Sequence, residues 1–87
     1  MIKGKTKSGF EYEIPKENLN NYELIETISE VEENPLVITK TVNLLLGKEQ
    51  REKLKDHLRT KSGIVPVDKL SDEIIEIFNN QSETKNS

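Results

Sequence analysis

Residues 35–47 constrain this chain most, because they read as a helix with more apolar surface than one buried face can use. Asn34 stands where a cap belongs, Pro35 at the first helical position and Gly47 just past the end, the usual order of helix punctuation. At about 100° per residue, Leu36, Val37, Ile38, Val42, Leu44, Leu45 and Leu46 spread over roughly 280° of the circumference. An ordinary amphipathic helix needs an apolar arc of little more than about 100°. Two arrangements satisfy such a helix. It is the central post of the fold, covered on every side, or it is partly reserved for a partner. In the second case Val37, Leu44, Leu45 and Leu46 are the candidate partner-binding residues.

The 87 residues suffice for one small domain and not for two. Leu, Ile, Val and Phe lie above the level that marks disorder, so the chain is expected to fold. With no Cys, a disulfide framework, a thiolate metal site and a Cys nucleophile are all excluded. The formal net charge is −3, and Lys and Arg are interleaved with Glu and Asp. A phosphate-binding surface leaves a basic stripe instead, so no nucleic-acid partner is expected. No apolar run approaches the roughly 18 residues that span a bilayer. Met1-Ile2-Lys3-Gly4-Lys5 lacks the apolar core of a signal peptide. The expectation is a soluble protein of the cytoplasm with no membrane partner.

Residues 1–14 read as a β-hairpin, and register decides the loop. A two-residue loop at Ser8-Gly9 would set Lys7, Lys5 and Lys3 opposite Phe10, Tyr12 and Ile14, mixing charged and apolar groups on one face. A three-residue loop, Lys7-Ser8-Gly9, pairs Thr6 with Phe10, Gly4 with Tyr12 and Ile2 with Ile14, and puts Lys5 opposite Glu11 and Lys3 opposite Glu13. A slip of one residue exchanges the faces, and Gly suits the left-handed third position, so the longer loop is predicted. Two strands alone are marginal, so their apolar face must lie on helices.

Beyond a connector at 15–20, Asn20 with Glu23 resembles a capping box for a helix over 21–33, whose apolar stripe is Leu24, Ile25, Ile28 and Val31. After the helix at 35–46, residues 48–60 carry only Leu54 and Leu58 as a narrow apolar seam. The last helix, 67–80, gathers Val67, Leu70, Ile74, Ile75, Ile77 and Phe78 on one side. The expected fold is α+β, mostly α: an N-terminal β-hairpin packed on a bundle of about four short helices in a single domain over 1–80, with a disordered tail at 81–87.

No constellation here points to catalysis. His57, the single histidine, sits on the border of the Leu54/Leu58 seam, where it is either a base beside a carboxylate or a partly exposed structural residue. It is also the one base that a serine nucleophile could use. Glu30, Glu32 and Glu33 cluster at a helix end without the alternating oxygen ligands and glycine of a calcium loop. Thr-Lys-Ser-Gly occurs at Thr6 and again at Thr60, but neither copy has the spacing of a phosphate loop, and the likeness does not extend into the flanks. The expectation is a binding protein that is not an enzyme and has no metal or cofactor.

Several segments taken in order carry a resemblance. They are Lys5-Thr6-Lys7-Ser8-Gly9-Phe10-Glu11, Tyr22-Glu23-Leu24-Ile25-Glu26, Leu44-Leu45-Leu46-Gly47-Lys48-Glu49-Gln50, Leu54-Lys55-Asp56-His57-Leu58-Arg59 and Gly63-Ile64-Val65-Pro66-Val67. The series resembles the small tail assembly chaperones of long-tailed bacteriophages and of prophages in Gram-positive bacteria, which often have Trp where Tyr22 stands. The resemblance implies a protein of the host bacterial cytoplasm that binds the tape measure protein and keeps it soluble until the tail tube polymerises. It also implies a frameshifted longer form that recruits the tail tube protein. Self-association is left open. Two other classes stand beside this one. A small phage-encoded regulator would need a basic recognition helix, whereas Lys48, Arg51, Lys53, Lys55 and Arg59 alternate with Glu49, Glu52 and Asp56. A head–tail structural component would be found in purified particles.

Overall fold

Alternation of apolar and charged residues builds the first element. In the computed structural model, which describes residues 1–86 and side chains through residue 80, β1 (Ile2–Lys5) and β2 (Glu11–Ile14) pair antiparallel. The partners are Ile2 with Ile14, Lys3 with Glu13, Gly4 with Tyr12 and Lys5 with Glu11, the register that the face argument selects. Gly9 takes the positive φ of 97° that the three-residue loop demands. Phe10, Tyr12 and Ile14 all face inward and are buried. On the outer face Lys3 and Glu13 form an ion pair at 3.3 Å, exposed enough to contribute at most about 1 kcal/mol.

The connector contains an element that its composition conceals. Pro15 opens a single helical turn, α1 (Lys16–Leu19), and Asn20 closes it by donating its N–H to the Glu17 carbonyl. Because Asn20 ends α1, it cannot cap the next helix. Asn21 does so, its side chain accepting from the Glu23 N–H at 3.0 Å, and α2 runs Tyr22–Glu30 rather than 21–33. Residues 31–33 form a turn. Ile25, expected on the buried stripe, is 43% exposed, and Leu19, expected in a loop, is buried.

Asn34 caps the following segment as expected, accepting from the Leu36 N–H at 3.2 Å. That segment begins as a 3-10 turn (Pro35–Val37), which leaves Leu36 88% exposed. Only then does α3 (Ile38–Leu58) start. Gly47 interrupts α3 with φ 80°, ψ 170°, a conformation closed to other residues at little cost, so 38–46 and 48–58 are separate helical segments. The second segment stops at Leu58 rather than at 60 because Arg59 is extended (φ −62°, ψ 131°) and Thr60 opens a turn. The last helix, α4, is Val67–Asn86. The disordered tail expected at 81–87 falls on side chains outside the described residues, as does Ser87 altogether.

The architecture is therefore α+β and mostly α, a two-stranded hairpin packed on helices. α3 is its post: α1, α2, α4 and β2 all touch it. Around it Leu24 and Val31 of the α2 side, Ile74 and Ile77 of α4, and Phe10, Tyr12 and Ile14 of β2 close one cluster with Ile38, Val42, Leu45, Leu46 and Leu54. Among the described residues no buried side-chain polar atom lacks a partner.

Two substitutions test this arrangement. Leu45→Asp buries an unpaired charge at a fully enclosed site and is expected to abolish the cooperative melt seen by circular dichroism. Gly47→Ala forces a Cβ into the positive-φ region at a position with open space around it, so the cost is conformational alone. Urea titration should read a loss of about 1–3 kcal/mol.

Candidate functional site

The four residues expected to meet a partner are mostly inside. Leu45 is 0% and Leu46 4% exposed, while Val37 and Leu44 are half-buried against the same core. Of the two readings of this helix, the central post describes them. The Leu45 carbonyl, freed where Gly47 breaks the helix, is taken up by the Asn18 side-chain amide at 2.9 Å. α1 thus seals the flank that sequence periodicity leaves open.

The surface left for a partner lies elsewhere, between the end of α2 and the start of α4. Val31, Pro35, Val67 and Ile75 floor an open groove of about 580 Å³. Glu32, Asp68 and Asp72 edge it, with Ser71, and none of its lining residues is basic. Val67 is 52% exposed there, and Leu36 stands out to solvent next to Pro35. A more polar stretch of about 500 Å³ shares Glu32, Asp72 and Ile75 and continues along α4 past Glu76 to Asn79 and Asn80, with Lys7 beside it. The periodicity of α4 places Val67 and Ile75 on its apolar side, but only the fold shows Val67 half-exposed and Ile75 half-buried beside the turn that follows α2.

The polar residues singled out in the sequence meet at a different place, the hairpin loop. Thr6 Oγ1 donates to Glu73 Oε1 at 2.7 Å, both groups buried, and accepts from the Phe10 N–H at 3.2 Å. Its one hydrogen is thereby committed, so the Ser8 hydroxyl, 3.1 Å away, must donate to it. Ser8 in turn accepts from His57 Nε2 at 3.0 Å, which fixes the proton on that nitrogen. The Lys7 N–H donates to Glu76 Oε2 at 2.8 Å, and the His57 ring lies 5.7 Å from that of Phe10. A histidine acting as base would have to accept from serine, whereas this chain of donors runs from His57 to Glu73. His57 is exposed, and it serves to position the loop.

The acidic residues Glu30, Glu32 and Glu33 are exposed, and no group of side chains suited to a metal occurs among the described residues. Along the second segment of α3, Arg51 and Lys55 both pair with Glu52, holding its carboxyl below the ordinary range, the Lys55 hydrogen bond contributing most. Arg59 pairs with Asp56 at 3.5 Å. No described helix is long and apolar enough to cross a membrane.

Thr6→Val removes the donor to a buried carboxylate and is expected to cost about 1–3 kcal/mol in urea titration. Thr6→Ser should recover most of it. Pairing Thr6→Val with Glu73→Met should cost less than the sum of the two single changes, because the carboxylate is then no longer stranded and only the Phe10 N–H loses its acceptor.

No family model, curated protein or solved structure matches the chain.

Proposed function

We propose that this protein is a tail assembly chaperone that binds helical segments of a phage tape measure protein and keeps them soluble before the tail tube polymerises. The groove between the end of α2 and α4 carries the reading, since it sets the exposed Pro35 and half-exposed Val67 beside the half-buried Ile75. Its acidic edge selects the client chemistry: an apolar helix flanked by Lys or Arg, laid into the groove by its apolar face. The series of segments from Lys5 to Val67 that resembles this chaperone family supports the same conclusion. The bacterial cytoplasm, where tails are assembled, is the proposed site of action, and a frameshifted longer form would bring the tail tube protein to the same client.

Co-expression with the cognate tape measure protein tests the proposal. The client is expected in the soluble fraction, eluting with this chain on gel filtration. Val67→Asp, at a half-exposed position, should leave the melting temperature within a few degrees of wild type and abolish rescue. Reversing Asp68 and Asp72 to Lys should weaken the complex about tenfold at low salt and less at high salt, since exposed edge charges are screened. Equal insolubility of the client with and without this chain refutes the proposal.

A further inference from the structure

The two Thr-Lys-Ser-Gly segments fold into one and the same turn. In the first, the Thr6 N–H donates to the Phe10 carbonyl at 2.9 Å, the Gly9 N–H to the Thr6 carbonyl at 2.9 Å and the Phe10 N–H to Thr6 Oγ1 at 3.2 Å. In the second, the Thr60 N–H donates to the Ile64 carbonyl at 2.8 Å, the Gly63 N–H to the Thr60 carbonyl at 2.9 Å and the Ile64 N–H to Thr60 Oγ1 at 3.3 Å. The hydroxyls of Thr and Ser lie 3.1 Å apart in one and 2.9 Å in the other. Gly9 and Gly63 have φ of 97° and 91°. Every bond of one turn has its counterpart in the other.

Their surroundings differ completely. The first turn holds α4 by two carboxylates, Thr6 hydroxyl to Glu73 and Lys7 N–H to Glu76, while Phe10 joins Ile74 and Ile77 in the core. What it recognises is a helix with carboxylates at i and i+3 and apolar side chains at i+1 and i+4. Among the described residues the second turn holds no other element. Thr60, Lys61, Ser62 and Gly63 are exposed, the Lys61 N–H has no acceptor among the described residues, and Ile64, in the place of Phe10, is 61% exposed. Its shape is nonetheless fixed, with Arg59 donating to the Gly63 carbonyl at 3.1 Å.

We propose that the turn at 60–63 is a docking element for a helix of another protein that carries carboxylates at i and i+3 and apolar side chains at i+1 and i+4. The donors stand ready in the geometry that already grips Glu73 and Glu76, so little conformational freedom is lost on binding. Arg59 and Lys61 flank Thr60 and complement an acidic helix, and Ile64 gains an apolar cover. This site goes beyond the chaperone reading and does not rest on it: the groove selects basic flanks, the turn acidic ones.

The probe is a peptide of residues 67–80, which contains Glu73-Ile74-Ile75-Glu76-Ile77, held helical by a staple on its outer face and titrated into the isotope-labelled full chain. Amide shifts are expected at Lys61, Ser62, Gly63 and Ile64. Thr60→Val should weaken binding about tenfold or more, the loss expected for a charge-assisted hydrogen bond, and Thr60→Ser should restore it. A peptide with Glu73→Gln and Glu76→Gln should weaken to a similar extent. Because Thr60 Oγ1 also accepts from the Ile64 N–H, the amide shifts of residues 60–64 in each free variant are compared with wild type alongside the melt, and Thr60→Ser, which keeps that acceptor, must bind like wild type. Absence of shifts at 61–64, shifts confined to 6–10, or equal binding by Thr60→Val overturns the proposal. So does self-association of the free chain that Thr60→Val removes, which would seat a second copy on the turn.

Discussion

Everything in this small domain hangs on covering the broad inner arc of one helix. The segment 38–46 of α3 buries Ile38, Thr41, Val42, Leu45 and Leu46 and leaves only the face of Thr39, Lys40 and Asn43 to solvent, and no single neighbour can cover so wide an arc. α1, α2, α4 and β2 each close one sector, which is why none of those elements needs more than a narrow apolar stripe of its own. The arrangement also explains how a chain that is one-third charged folds at all. Its apolar residues are concentrated where each is used by several neighbours, and the charged remainder, apart from the buried Glu73, stays on the outer faces. Gly47 completes the arrangement by turning the chain so that Leu54 returns to the same core instead of running off along the helix axis.

The hairpin depends on this post and adds a constraint of its own. Two strands have no independent stability, and burial of Phe10, Tyr12 and Ile14 supplies it. The loop then converts a general apolar attachment into a specific one. Glu73 and Glu76 stand three residues apart on α4, close to one helical turn, so the Thr6 hydroxyl and the Lys7 N–H can be satisfied together only at one rotation and one height of that helix. Apolar packing tolerates sliding, but this pair of hydrogen bonds does not.

Much of this was legible in the sequence, and the parts that were not share a cause. Hairpin register followed from the pleat, since only the three-residue loop sets Thr6, Gly4 and Ile2, rather than Lys7, Lys5 and Lys3, opposite Phe10, Tyr12 and Ile14. Asn34, Pro35 and Gly47 marked the limits of the apolar segment by local chemistry. The single turn of α1 was hidden because a short helix carries no periodicity, and Asn20 and Asn21 are equivalent as caps until the element before them is known. Val37, Leu44, Leu45 and Leu46 could be recognised as excess apolar surface, but which elements would consume it is a tertiary fact. The groove is the reverse case. Val67 and Ile75 looked like ordinary core positions, and periodicity alone does not tell that Val67 is half-exposed and Ile75 only half-buried along the groove. The two Thr-Lys-Ser-Gly segments were visible as similar turns, whereas the long-range partners of the first were not, because nothing local encodes a bond between residues 6 and 73.

That bond has a bearing on the order in which the molecule can be completed. The hairpin loop is gripped by residues some seventy positions further along, so on a growing polypeptide the hairpin is made well before the helix that fastens it. Until Glu73 and Glu76 have been synthesised, the inner faces of Phe10 and Tyr12 have only part of their cover and the loop is held on one side. Contacts of such long sequence separation carry the largest loop-closure cost and form late. A nascent chain of this domain is therefore itself an object with exposed apolar surface, and it becomes sealed only when α4 arrives to lock the hairpin loop.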